Sequence, residues 1–186
     1  INATQYSNYN GAAISCPGAS DGSTQVTASG GVPTYTYAWS GANPQNTAIA
    51  TALAAGLYIV TVSDAVGCSV VDSITLNDPV QLQATETHVD VFCNADCDGQ
   101  IIVNAVSGTG TLGVNGYEYR ILGPGQTGNV FSANNSFFGL CAGTYTVEVR
   151  DGNNCVLPVT VTINEPTALT ASTIGSDASC NGGLNG

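Results

Sequence analysis

The chain has 186 residues, 43% of them hydrophobic and only 8% charged, against roughly 25% charged in an average soluble domain. Two basic residues against 13 acidic ones give a formal net charge of -11. That excludes a nucleic-acid binder, which needs a basic stripe for phosphates, and argues against docking on anionic lipid. No apolar run approaches the ~20 residues of a membrane span, so membrane insertion is not expected, and no secretory-signal pattern is present. The length admits one large domain or two small ones. Twenty-three glycines, with abundant Thr, Ser, Asn, Val and Ala, point to strands and turns rather than helices.

Along the chain, Thr24, Val26 and Ala28 open the first alternating run, and Tyr35-Thr-Tyr37-Ala-Trp39 forms a second. Tyr58, Val60 and Val62 then alternate with Ile59, Thr61 and Ser63, followed by Val70, Asp72, Ile74 and Leu76. After Asn77-Asp78-Pro79-Val80 the order repeats, with Ile101, Val103 and Ala105, then Tyr145, Val147 and Val149, then Leu157, Val159, Val161 and Ile163. Period two with one polar face is the mark of half-buried antiparallel strands. Strands at such short spacing, punctuated by Gly, Asn, Asp and Pro, predict β-sandwiches. Asp72 interrupts an apolar row, and the cost of burying an unpaired carboxylate assigns it to the rim of the sandwich.

The repeat is explicit. Gly56, Tyr58, Asp64 and Cys68 recur at a constant offset as Gly143, Tyr145, Asp151 and Cys155, and Pro79 and Leu82 recur as Pro166 and Leu169. Upstream, Cys16-x4-Asp21-Gly22 matches Cys93-x4-Asp98-Gly99, with a longer middle loop around 109–136 in the second copy. Ile1-Asn-Ala-Thr4 matches Leu82-Gln-Ala-Thr85. The expected organisation is a sandwich over 1–80, a second over 81–167, and the start of a third repeat over 168–186. The two cores are expected to meet near Asp78–Gln81 with few contacts crossing. Trp39 aligns with Ile121, and a position that accepts either residue is a core position.

Seven cysteines and no methionine indicate an exported chain with disulfides. Zinc is the rival, but Cys93 and Cys97 have no second close pair, and the lone His88 cannot complete a usual finger. The internal alignment makes Cys16–Cys68 and Cys93–Cys155 the expected equivalent bonds. Cys97 and Cys141 have no counterparts in copy one, and their joint absence there predicts a Cys97–Cys141 bond. Cys180 is left unpaired in the chain. Its context copies the opening of a unit, so its expected partner is the next segment of a longer array or fibre.

These motifs together resemble the SprB repeat: Cys-x4-Asp-Gly, then Gly30-Gly-Val-Pro33 with Tyr35, Tyr37 and Trp39, then Leu53-x-x-Gly56-x-Tyr58-x-Val60-x-Val62-x-Asp64 to Cys68, then Asn77-x-Pro79. Copy two departs at Ser107-Gly-Thr-Gly-Thr111, which lacks that proline, and it lacks the Trp. The resemblance implies an immunoglobulin-like sandwich, type IX export and display in surface adhesins of Bacteroidetes, including those of gliding motility. It also implies O-glycosylation at Ser73, in Asp72-Ser73-Ile74. Asn2-Ala-Thr4 and Asn134-Asn-Ser136 are formal N-linked sequons.

No paired acids or nucleophile elbow accompany His88, so an enzyme is not expected. No cofactor is expected either. The one metal reading is calcium at Asp90, Asp96 and Asp98, with Asn94 close by; the plainer reading is an Asp/Asn-rich turn. The sequence therefore predicts a structural repeat segment of a cell-surface adhesin, stalk or filament, its partners being neighbouring repeats, further copies in a fibre, and surface glycans. The alternative is a carbohydrate-binding module using Tyr6, Tyr9, Tyr35, Tyr37 and Trp39 as an aromatic face, although Tyr35 and Tyr37 recur as Tyr117 and Tyr119, which equally suits packing.

Overall fold

The computed structural model describes residues 1–41, 43–108, 116–126 and 130–175. Cys180 lies outside the described residues, as does part of the longer loop of copy two. Among the described residues the chain is all-β, with twelve strands in antiparallel sheets. The first six are β1 (Asn2–Gln5), β2 (Gly22–Thr27), β3 (Thr36–Ser40), β4 (Ile49–Leu53), β5 (Gly56–Ser63) and β6 (Ser69–Leu76). The next six are β7 (Gln83–Val89), β8 (Gly99–Ser107), β9 (Glu118–Leu122), β10 (Ser136–Leu140), β11 (Gly143–Arg150) and β12 (Val156–Ile163). They form four three-stranded sheets, ordered β1-β2-β4, β3-β5-β6, β7-β8-β10 and β9-β11-β12. The second pair repeats the topology of the first, and each pair faces across a core as an immunoglobulin-like sandwich.

The cores follow from the alternation. Tyr58, Val60 and Val62 of β5 pack with Ile14, Val26, Trp39, Ala50, Leu53 and Leu76. Tyr145, Val147 and Val149 of β11 pack with Ile101, Val103, Tyr119, Ile121, Leu140 and Ile163. Thr24 holds the buried site that Ile101 fills in the second core, and its hydroxyl is satisfied by donating to the Thr4 carbonyl at 2.8 Å. Trp39 is 3% exposed, and its indole N–H donates to the Thr47 carbonyl at 2.9 Å, which explains how the ring can be buried at this position. Asp72 lies at the sandwich edge, where it accepts from the Ala3 N–H at 2.8 Å and from Ser73 N–H. It thereby joins β1 to β6 across the gap between the sheets.

The buried tyrosines give each sandwich the same internal tie. Tyr58 Oη donates to the Ala54 carbonyl and Tyr145 Oη to the Cys141 carbonyl, both at 2.9 Å. A buried phenol bonded to backbone a few residues upstream is a device of immunoglobulin-like sandwiches. Gly41 and Gly123 lie over the two rings with φ of 132° and 150°.

Candidate functional site

Two loops of each unit carry the repeated cysteines, and each loop is built by an aspartate. In unit one, Asp21 Oδ1 accepts from the Ser15 N–H at 3.1 Å, and the Ala19 N–H returns to the Cys16 carbonyl at 2.9 Å. In unit two, Asp98 Oδ1 accepts from the Phe92 N–H at 3.1 Å, and the Asp96 N–H returns to the Cys93 carbonyl at 3.2 Å. The residue in the left-handed region is Gly18 in one and Ala95 in the other. Their N–H groups donate to Asp78 and Glu165, just past the ends of β6 and β12. This cysteine loop therefore sits at the end of the sandwich where the chain leaves it.

The other loop is the turn between β5 and β6, or between β11 and β12. Asp64 Oδ1 accepts from the Val66 and Cys68 N–H groups at 3.1 and 2.9 Å. Asp151 Oδ1 accepts from Asn153 and Cys155 at 2.9 and 3.0 Å. The Val32 N–H bonded to Asp64, together with those of the turn, holds its carboxyl below the usual carboxylate range.

The two loops of one unit lie at opposite ends of it. Cys68 precedes β6 and the Cys16 loop is tied to Asp78 beyond β6. Eight strand residues separate the ends, about 26 Å at the usual rise, whereas a disulfide needs Cα atoms within about 7 Å. The expected Cys16–Cys68 and Cys93–Cys155 bonds are accordingly not formed. Instead Cys16 of unit one is bonded to Cys155 of unit two, with Cα atoms 5.6 Å apart. Cys68 and Cys93 are free and exposed. Cys97 is bonded to Cys141, tying the loop before β8 to the end of β10.

The bond lies in a polar junction that the sequence reading missed. Asn10 Nδ2 donates to Asn153 Oδ1 at 2.6 Å. Asn153 Nδ2 donates to the Tyr9 and Ser15 carbonyls at 3.3 and 3.1 Å. Cys16 and Pro17 border a hollow whose unit-two wall is Leu82, Cys155, Val156 and Leu157. The units thus touch through these loops as well as through the linker. The available signal was length: Thr4 to Cys16 is a longer run than Thr85 to Cys93, and the extra chain is the turn carrying Asn10.

Residues 13–44 match the family model of the SprB repeat. The matched stretch runs from the core residues Ala13 and Ile14 through the Cys16 loop to Trp39 and just beyond. Unit two repeats the residues around Asp21 and Asp64 of unit one at Asp98 and Asp151. No curated protein matches the chain. Among solved structures, the chain is similar to three N-terminal domains of the bacteriophage RB49 Highly Immunogenic Outer Capsid protein (Hoc). That likeness has 15% identity and a TM-score of 0.45, and covers 88% of this chain and 57% of that one. It is also similar to Clostridium thermocellum CbhA fibronectin(III)-like modules, at 16% identity and a TM-score of 0.40, covering 94% of this chain and 100% of that one.

The other candidates stand apart from the junction. Ser73 is exposed on β6, opposite Ile59. Asp90 accepts from the backbone and side-chain amides of Asn164, which lowers its pKa. Asp98 is engaged by the Phe92 N–H, and Asp96 is exposed. Among the described residues no three His, Cys, Asp or Glu side chains gather as a metal-ligand set. His88 is exposed on β7, its Nδ1 3.1 Å from Glu86. Tyr9 and Tyr35 are half-buried and donate to the Asp21 and Gly30 carbonyls. With Trp39 inside the core, the five aromatics do not make one open face. No described helix is long and apolar enough to cross a membrane.

Proposed function

We propose that this chain is a structural repeat segment of an extracellular cell-surface adhesin, with units 1–80 and 81–167 acting as links of a stiff stalk or filament. The observation that carries this is the Cys16–Cys155 bond, which fastens the exit end of one sandwich to the entry end of the next. A flexible two-domain protein has no need of such a staple, whereas a stalk does. The SprB repeat is a module of surface proteins, which supports an extracellular setting, and type IX export belongs to the same reading. The role is mechanical and non-catalytic: an acidic, lysine-free chain stays soluble and holds adhesive surface away from the cell.

Force spectroscopy on the chain held at its two ends tests the reading. Load is expected to pass from residue 16 to residue 155 through the disulfide, so the oxidised chain gives no long unfolding step. Reduction should expose both sandwiches and release about 480 Å, from the 139-residue separation at roughly 3.5 Å per residue. Long steps of the same length before and after reduction would overturn the stalk. So would selective glycan-array binding lost on Tyr37→Ala with the fold intact, which marks a carbohydrate-binding module.

A further inference from the structure

Cys68 and Cys93 are the repeat equivalents of Cys155 and Cys16, and their loops already have the bonded geometry. The Asp64 and Asp151 turns match bond for bond, including the N–H of Gly67 and of Asn154 returning to the aspartate carbonyl at 3.1 and 3.0 Å. The Asp21 and Asp98 loops match as well. Neither free cysteine therefore needs any rearrangement to do what its bonded equivalent does.

The surroundings match too. The hollow beside Cys155, bordered by Cys16 and Pro17 of unit one, has a counterpart beside Cys68. Its wall includes Ile1, Cys68, Ser69 and Val70, the equivalents of Leu82, Cys155, Val156 and Leu157, and it continues over Ala28, Gly30 and Tyr35 of the same unit. The side groups placed to meet there are apolar. Val66 stands at the position of Asn153 and is 67% exposed, and Phe92 stands at the position of Ser15 and is 75% exposed. Where the Asn153 side chain reaches the Ser15 backbone carbonyl in the closed junction, the Cys68 and Cys93 loops present an exposed valine and phenylalanine.

We infer that Cys93 of one copy forms a disulfide with Cys68 of a second copy, repeating the Cys16–Cys155 junction with a Val66–Phe92 contact in place of the asparagine bonds. The two ends differ, so the contact is heterologous and propagates as an open, head-to-tail filament. With a small-molecule disulfide such as oxidised glutathione as oxidant, the Cys68 thiolate displaces one glutathione thiol to give a mixed disulfide. The Cys93 thiolate of the other copy then displaces the second. Two protein thiols are oxidised, one glutathione disulfide is reduced, and two protons end on the released thiols. This deepens the reading of the chain as a stalk segment by naming the partner of each end.

The test uses the full chain in a Cys180→Ser background, incubated with oxidised and reduced glutathione at physiological salt. Non-reducing gels should show a ladder extending beyond dimer, and peptide mapping should join Cys68 to Cys93 between chains. Cys68→Ser alone and Cys93→Ser alone should remain monomeric, and an equal mixture of the two should give a dimer and stop. Phe92→Ser should slow the linkage about tenfold, the loss of about 1.4 kcal/mol of apolar contact, while leaving glutathione adduct formation at Cys93 unchanged. Symmetric Cys68–Cys68 or Cys93–Cys93 dimers, a Cys68–Cys93 bond within one chain, or monomers carrying two glutathiones would each overturn the inference. If linkage fails while the oxidised chain still bears load between its ends, the inference falls and the stalk reading stands. Failure under load sinks the stalk reading instead.

Discussion

Cys16 and Cys155 are bonded across the junction of two sandwiches, their Cα atoms 5.6 Å apart and their sequence positions 139 residues apart. The loop they close contains most of both cores. Chain entropy assigns such a loop up to about 5 kcal/mol of stabilisation in a model-dependent account. The double variant Cys16→Ser/Cys155→Ser should keep both folds, since neither core uses these side chains as its filling. Denaturant unfolding of this variant should resolve into two independent transitions at lower midpoints than the wild type. Midpoints unchanged from wild type would show that the bond adds nothing to stability.

The paired tyrosines predict the second result. Tyr58→Phe and Tyr145→Phe each leave a backbone carbonyl, of Ala54 and Cys141, without its donor. The expected cost is about 1–2 kcal/mol apiece, seen only in the unfolding of the unit concerned. Gly123→Ala should cost more than Gly41→Ala. A Cβ at Gly123 would stand 2.5 Å from the Tyr145 ring, against 3.1 Å from the Tyr58 ring at Gly41. Both backbones also have φ values that alanine rarely adopts. Equal effects at the two glycines would contradict the ring contact as the cause.

Strand positions, core faces and the doubled topology were legible because each rests on local alternation. Tyr58, Val60 and Val62 announce their buried face within five residues, and Trp39 was placed in the core by its exchange with Ile121. The Cys97–Cys141 bond was legible from the joint absence of both residues in copy one, but the pairing of the four repeated cysteines was not. An alignment of repeats says that Cys16 and Cys93 are alike and that Cys68 and Cys155 are alike. It is silent on whether a bond joins one kind to the other within one unit or across two. The deciding quantity is the length of β6, which puts Cys68 and the Cys16 loop at opposite ends. Asn10 and Asn153 were missed because each pairs with the other across the junction and Asn153 also reaches backbone carbonyls of unit one, and no residue pattern marks a carbonyl as an acceptor.

Both of the chain's basic residues meet at one surface cluster, which gives a third prediction. Arg120 pairs with Glu148 and Arg150 with Glu118, across the β9–β11 pairing. Their guanidinium carbons lie 4.5 and 4.2 Å from the centre of the Phe131 ring. Phe131→Leu retains apolar cover and removes the π-face. It should destabilise unit two by about 1 kcal/mol, with little change on adding salt, because the ion pairs remain. A loss that disappears in high salt would assign the effect to the charges instead.

The last prediction is the pH dependence of the Asp64 turn. The Val32 N–H, with those of the turn, bonds the ionised carboxylate in the folded chain and depresses its pKa. The unfolded chain has no such donors in place, so its Asp64 titrates near the ordinary value of about 3.9. A group whose folded pKa is depressed contributes stability that is complete above the unfolded value and is lost as pH falls through the folded one. Asp64→Ala should therefore unfold at lower denaturant than the wild type at neutral pH, with a deficit that is constant down to about pH 5. The charge-dependent part of that deficit should shrink below this and vanish once the wild-type carboxyl is protonated in both states. Asp64→Asn keeps an oxygen for the Val66 and Cys68 N–H groups but carries no charge, so its deficit should be smaller at neutral pH. The midpoints of the three proteins, compared from pH 7 to pH 2, decide the matter. A gap between wild type and Asp64→Ala that widens on acidification would reverse the sign and refute the assignment.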